Sequence, residues 1–308
     1  KSLVEYFIKL LNDLFGIKTK LYLDKKRSAK YRVALGSKLL EKLLYALNYK
    51  LYSKAEDKDI PNLIMNASEE MIKEFLKMYY EGDGSVHRDC VKVTTKSRLI
   101  ANKLSYLLLR FGLVSRIGYE CQKTNFKKQY FYKNYFYNLR LYGNDLNTFR
   151  ERIGFYSEFK NNKLNECCNS VSLNKNDTIP YIHSKIREIR KNNNITHKEF
   201  YNHTGMHAHN IENPNNRFGI SRHVLNTICI LLNGFDELKE IVDADFYCDY
   251  VKSINIVYPE QPYYLYDFTI DDTHSFIGGF GGVILHNTQS AVLEAMQERQ
   301  VTIGNTTY

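Results

Sequence analysis

Glu69-Glu70-Met71-Ile72-Lys73-Glu74-Phe75-Leu76-Lys77-Met78-Tyr79-Tyr80-Glu81-Gly82-Asp83-Gly84-Ser85-Val86 reads as one helix stopped by Gly-Asp-Gly. Pro61 and Ser68 punctuate its approach. Ser68 suits the N-cap, because a hydroxyl there accepts an otherwise unpaired first-turn amide. A helix ending in this way presents the Asp83 carboxylate from its C-terminal end, where it can ligate a divalent cation. Asp oxygens, with phosphate oxygens and water completing the shell, are how Mg²⁺ is usually held for phosphodiester cleavage. Asp-Gly is also a commonplace turn, so the reading rests on what surrounds it.

Two segments around this helix echo one another. The first runs from Lys1-Ser2-Leu3 through Leu14-Phe15-Gly16-Ile17 to Tyr31-Arg32-Val33-Ala34-Leu35, then a helix at Lys38–Leu44. The second runs from Lys96-Ser97-Arg98-Leu99 through Arg110-Phe111-Gly112-Leu113 to Phe136–Tyr142, with a helix from about Asn144. Apolar i, i+3, i+4, i+7 spacing closed by Gly predicts a helix at the head of each. The shared order points to internal duplication, with two ordinary α+β segments as the alternative. In the second copy the acid-bearing helix precedes Lys96 by roughly a dozen residues. Its counterpart is therefore expected upstream of Lys1. In the run Tyr130–Tyr142, alternation puts Tyr135, Tyr137, Leu139 and Leu141 on one face of a strand. Phe136, Asn138, Arg140 and Tyr142 fall on the other, which either meets a DNA major groove or is simply solvated.

These residues resemble the second motif of LAGLIDADG homing endonucleases. Leu76 to Gly84 covers the nonapeptide, Asp83 falls on its metal-binding acid and Glu81 on the upstream acidic position. Lys58-Asp59-Ile60-Pro61 matches the Lys-x-Ile-Pro before the second helix of intein endonucleases. Lys58 becomes the basic residue expected near the scissile phosphate, unless it is a solvated surface lysine. Lys175, before Ile179-Pro180, is its weaker counterpart. Met78 stands where the family has Gly, and Gly82 keeps the later small position. The resemblance implies an αββαββα fold with its first motif missing, a Mg²⁺ cofactor and a double-stranded DNA partner.

A second chemistry lies in Tyr263–Ile270, Asp272-Thr273-His274 and Gly281-Gly282-Val283-Ile284-Leu285-His286-Asn287-Thr288. The Asn287 side-chain nitrogen can attack the Asn287 carbonyl, close a succinimide and break the bond to Thr288. The step is intramolecular, so the entropy of approach is already lost. It needs a proton donor at the departing nitrogen and hydrogen bonds to the oxyanion. An imidazole is the usual side chain for that role, so His286 or His274 can serve, and the Thr288 hydroxyl can receive an acyl group. The stretch resembles the C-terminal splicing blocks of inteins. That likeness makes Asn287 the last intein residue, His286 the penultimate one and Thr288 the first extein residue. His274 and Asp267 match the assisting His and Asp, and splicing needs no cofactor. Gln289–Gly304 resembles the region after Walker B in MoxR-type AAA+ ATPases, which marks the extein.

The whole chain sets the bounds. It has 308 residues, a net charge of +9, a pI near 9.0 and 25 Tyr. That balance favours a polyanion over a membrane partner, or else only solubility. Cys90, Cys121, Cys167, Cys168, Cys229 and Cys248 form no CxxC pair, which argues against zinc and disulfides and for a cytoplasmic location. No apolar run approaches membrane length, no signal peptide precedes the chain, and its start in mid-helix at Lys1 suggests a fragment.

The expected architecture is α+β. It comprises an endonuclease region at 1–159, a linker at 160–178 and a helical region at 179–244. The C-terminal strands of an all-β Hint (intein) fold follow at 245–287, with strands from Tyr250–Val257, and then the extein at 288–308. The helical region loosely resembles a repressor-type helix-turn-helix with Gly205 in the turn, and a spacer without DNA affinity fits equally well. His203, His207 and His209 read best as solvated. The upstream intein half and the exteins are partners expected in cis, and the homing site in the host gene is the expected DNA. The rival readings are a DNA-binding or DNA-cleaving protein with vestigial splicing, and an AAA+ ATPase fragment, which the missing P-loop disfavours.

Overall fold

The computed structural model describes residues 2–23, 31–47, 53–126, 130–170, 177–213, 219–249, 251, 253–256, 268, 270–286, 302–303 and 306–307. They fall in two compact units, Lys1–Leu173 and Asn174–Tyr308.

Unit 1 opens with α1 (Ser2–Phe15), β1 (Lys20–Leu23), β2 (Tyr31–Ala34) and α2 (Lys38–Ala46). After α3 (Asn62–Met65) come α4 (Glu69–Asp83), β3 (Gly84–Val86), β4 (Cys90–Thr95), α5 (Arg98–Leu109), β5 (Arg116–Phe126), β6 (Tyr130–Tyr142), α6 (Asn144–Arg152) and α7 (Glu158–Ser170). The duplicated order is present: α1-β1-β2-α2 repeats as α5-β5-β6-α6. Gly16 (φ 61°) and Gly112 (φ 69°) end the leading helices in the left-handed region that glycine enters without strain.

Helix α4 starts where the Ser68 hydroxyl accepts the Met71 amide at 3.5 Å. Glu69 and Glu70 lie in its first turn, on the positive end of the helix dipole. Ile72, Leu76 and Tyr80, four residues apart, face inward and are fully buried. At the far end a Cβ on Gly84 would lie 2.4 Å from the Tyr80 carbonyl oxygen, so the chain can leave the helix there only through glycine.

The following sheet has the order β3-β4-β6-β5, antiparallel throughout. Val91 pairs with Leu141 and Val93 with Leu139, and all four are fully buried. With Leu104, Leu107 and Leu108 of α5 and Phe149 of α6 they form the core of the unit. Phe149 stacks obliquely on Tyr80, 4.9 Å between ring centroids, and meets Phe155 edge-on at 5.5 Å.

The Tyr80 hydroxyl is buried with no hydrogen-bond partner, and burial raises its phenol pKa. A buried unsatisfied polar group carries its desolvation cost uncompensated. Tyr80→Phe is therefore expected to raise stability by ~1 kcal/mol, read as a higher urea midpoint at unchanged slope. A fall of that size would show that the hydroxyl has a partner.

Residues 160–178 were expected to be a linker, but Glu158–Ser170 is helix α7, with Leu164 and Cys167 buried. Two inward residues three apart suffice to seat it, and the surrounding Asn and Lys give it a linker-like composition. Strand was expected over Tyr250–Val257. The described Val251 and Ser253–Ile256 form none, and Val251, Ile254 and Ile256 are exposed. Strand needs a partner for its backbone groups, and the described residues offer none here.

Unit 2 contains β7 (Thr178–Ile179), α8 (His183–Asn192), α9 (His197–Thr204), α10 (Ala208–Ile211), β8 (Ile220–Ser221), α11 (Arg222–Leu231), a 3-10 turn at Asp236–Leu238 and α12 (Lys239–Asp243). Thr196 and Glu199 form a capping box at α9, and Gly205 (φ 69°) turns the chain towards α10. Ile186, Ile189, Phe200, Leu225, Ile228 and Phe235 fill the core. Arg190 and Glu212 are buried as a bidentate pair, joined at Nε–Oε1 and at Nη2–Oε2 (3.1 Å). The hairpin β9 (Ser275–Gly278) and β10 (Val283–His286) follows, then the short pair β11 (Thr302–Ile303) and β12 (Thr306–Thr307).

Candidate nucleic-acid and cleavage sites

Charge is divided unequally between the two units. Unit 1 holds 32 Lys and Arg against 18 Asp and Glu, a balance of +14, and unit 2 holds 11 against 16, a balance of −5. Attraction to a polyanion is thus a property of unit 1.

The sheet face opposite the core carries Lys92, Thr94, Arg116, Asn138 and Arg140 on neighbouring strands. Arg140 donates to Glu120 at 2.5 Å, and this bond holds the Glu120 carboxyl below the usual carboxylate range. Lys96 donates to Asn134 at 3.1 Å and lies over the Phe136 ring at 5.5 Å, a cation–π contact that aims its ammonium. Thr94 donates to Asn138 Oδ1 at 2.7 Å, while the Asn138 amide nitrogen is buried without a partner. Ladder pairing makes this a pre-ordered polar platform rather than a set of free side chains.

Asp83 is exposed at the last residue of α4. Its neighbour Glu81 is differently engaged: one oxygen accepts the Tyr156 and Ser157 amides at 3.1 and 3.0 Å, capping the start of α7. Lys160, in the first turn of α7, reaches back to the carbonyls of Tyr80 (3.2 Å), Glu81 (2.5 Å) and Gly84 (2.8 Å). Burial pulls its ammonium below the ordinary lysine value, against the charges of Glu81 and Asp83. Neither role is visible in the sequence, because the partners lie 75 to 80 residues apart.

Lys58 is exposed, and its carbonyl accepts the Ser97 hydroxyl at 2.5 Å. Lys103 binds Asp59 and the Ile60 carbonyl, which ties the segment to α5. Among the described residues no hydrogen bond or ion pair joins Lys58 to Asp83, and no group of three or more His, Cys, Asp or Glu could hold a metal. The residues present fit one carboxylate arm of a hydrated Mg²⁺ site, and no more. A Cβ at Gly82 would touch nothing within 4 Å, so nothing described demands glycine there. Burial pushes the Cys90 and Cys167 thiols up to about 11, which disfavours the thiolate near neutrality.

At the other end of the chain, His286 pairs with Ser275 across the β9–β10 hairpin. This brings the His274 and His286 rings to 5.9 Å between centroids. His274 (φ 49°) and Asp272 (φ 63°) both sit in the left-handed region at the turn before β9. Asn287, Thr288 and Asp267 lie outside the described residues, as do Lys175 and residues 289–300.

Helix α4 to helix α6 thus runs α-β-β-α-β-β-α around one antiparallel sheet, with an acid at the mouth of its first helix. Residues 70–154 match the family model of the LAGLIDADG-like domain. LAGLIDADG domains are typically DNA endonucleases that bind double-stranded DNA and generally use divalent metal ions.

The chain is 32% identical over 137 residues to the replication factor C small subunit of Methanocaldococcus jannaschii, covering 44% of this chain and 7% of the relative. It is 25% identical over 240 residues to a DNA polymerase of Thermococcus aggregans, covering 76% and 10%. It is 24% identical over 264 residues to the DNA-directed RNA polymerase subunit Rpo1C of Methanocaldococcus jannaschii, covering 80% and 28%. The chain spans less than a third of the length of each of these relatives. The last two likenesses cover more residues than unit 1 contains and so run into unit 2. Among the described residues no helix is long and apolar enough to cross a membrane.

Proposed function

We propose that this chain is part of a self-splicing intein whose LAGLIDADG-like domain is a homing endonuclease. The observation that carries the splicing reading is the closeness of His274 to His286, the residue immediately before Asn287. The relatives support it: a replication factor, a DNA polymerase and an RNA polymerase subunit share a minor part of their length with this chain. A portable insert explains that distribution, and a shared enzymatic role does not.

In the proposed reaction Asn287 Nδ2 attacks the Asn287 carbonyl carbon and loses a proton. The succinimide closes, the bond to Thr288 breaks, and the Thr288 nitrogen leaves as an amine after taking a proton from an imidazolium. His286 adjoins that bond, and His274 is near enough to hold or relay the proton. The Thr288 hydroxyl is the acceptor for an acyl group from upstream, and the residues after it begin a MoxR-like host. Asp267 is the assisting acid of this step.

In the endonuclease, the basic face of the LAGLIDADG-like domain binds the phosphates and bases of the homing site. Asp83 would hold a divalent ion, Mg²⁺ in our reading, and the ion would supply polarisation of the scissile phosphate. Lys58 supplies a positive charge near that phosphate. Unit 2, with its Gly205 turn, is a helical module and, given its net acidic charge, a weaker candidate for DNA contact.

Purified parent chain and Asn287→Ala are compared by mass spectrometry. The parent is expected to release the Thr288–Tyr308 peptide and the variant to retain it. Loss of a general acid at His286→Ala or His274→Ala is expected to slow release by about 10²–10⁴-fold. Release from both parent and Asn287→Ala, or from neither, rejects cyclisation. Retention accompanied by salt-sensitive DNA binding favours the DNA-binding reading, which the match over 70–154 supports by itself.

A further inference from the structure

We propose that Lys160 is the positioning residue for Asp83: its ammonium fixes the turn from which the acid is presented. This rests on the reading of Asp83 as a metal-binding acid.

The last turn of any helix leaves its carbonyls without intrahelical donors and carries partial negative charge. At the end of α4, Glu81-Gly82-Asp83-Gly84 adds two carboxylates to that charge. Left alone, such an end frays and repels its own acids. Lys160 answers with one ammonium against three carbonyl oxygens, those of Tyr80, Glu81 and Gly84, which bracket Asp83 on both sides. An ammonium has three donors, so this arrangement saturates it. The Lys160 side chain also lies over the Phe155 ring at 5.3 Å, which restricts its own freedom. The bond is reciprocated: Glu81 caps the helix that carries Lys160, and the Ser157 hydroxyl accepts the Lys160 amide at 3.4 Å. Two helix ends of opposite polarity thus lock together, and Asp83 is the side chain they leave facing outward. Lys160 spends its three donors on backbone carbonyls and so acts through the backbone it holds.

The test uses the full chain with Lys160→Met, Lys160→Arg and Asp83→Asn. Equilibrium unfolding checks that each is folded. Amide hydrogen exchange of Gly84, whose N–H donates to the Tyr80 carbonyl, reports opening of the turn. Mn²⁺ affinity, read from paramagnetic relaxation, reports the acid. In Lys160→Met, Gly84 exchange is expected to quicken by about tenfold or more, as local opening becomes easier, and Mn²⁺ affinity to fall by a similar factor. Lys160→Arg keeps the charge and is expected to recover most of both. Unchanged Gly84 exchange in folded Lys160→Met overturns the proposal. Faster exchange with unchanged Mn²⁺ affinity also overturns it, leaving Lys160 as a structural cap only. Asp83→Asn binding Mn²⁺ like the parent rejects the metal-acid reading itself, and is told apart because Lys160 is intact in that variant.

Discussion

Glu212→Ala is expected to destabilise unit 2 by about 3–5 kcal/mol, the range for removing one partner of a buried ion pair. The Glu212 and Arg190 side chains are only 5% and 7% exposed. Glu212 neutralises a guanidinium that also donates to the Ile195 carbonyl at 2.7 Å and to His197 Nε2 at 2.9 Å. Since guanidinium only donates, the His197 nitrogen must accept, so it offers no replacement charge. Without Glu212 a cation stays in the core with its remaining bonds too weak to repay desolvation. The measurement is urea unfolding followed by amide exchange of unit 2, with Arg190→Met/Glu212→Leu alongside the single variant. The double variant is expected to recover most of the loss, because a buried pair replaced by apolar groups of similar volume is often neutral. A double variant as unstable as Glu212→Ala would mean that the carboxylate's packing, not the stranded charge, sets the cost.

Phe149→Ala is expected to cost unit 1 about 3–5 kcal/mol, the usual range for emptying a buried phenylalanine. The ring is fully buried between Tyr80 of α4 and Phe155 before α7. It is the wedge that seats the acid-bearing helix against the rest of the unit. Phe149→Leu, which keeps most of the volume, is expected to lose less than half as much. If both substitutions fall within ~0.5 kcal/mol of the parent, as for ordinary surface changes, the ring is not packed as described. Loss of Gly84 amide protection in Phe149→Ala would show that the wedge holds the Asp83 turn as well as the fold.

Local rules carried the sequence reading a long way. Ser68 caps the helix it precedes, and Gly16, Gly112 and Gly205 end theirs at positive φ. Tyr130–Tyr142 is a single strand whose buried Leu139 and Leu141 share a face. The repeated helix–strand–strand–helix order was also readable, and the nonapeptide ending in Asp83-Gly84 marked the stretch that matches the LAGLIDADG-like domain. Each of these depends on residues within about one or two helical turns, where sequence spacing and spatial distance are nearly the same thing.

Where that equivalence breaks, reading by spacing stopped. Residues 158–170 have a linker's composition, yet two inward side chains and a cap from Glu81 make them a helix. Glu81 matches the upstream acidic position of the motif, but the amides of Tyr156 and Ser157 take it up. Lys160 carried no signal at all, because the carbonyls it holds belong to a helix end some eighty residues earlier. His274 and His286 were candidates by motif, but only the hairpin register brings their rings together. The amino-acid sequence by itself determined the duplicated helix–strand–strand–helix order and the residue types that start and stop its helices. The tertiary structure decided which polar groups are spent on holding elements together and which are left facing outward, since a donor finds its acceptor through space and not along the chain.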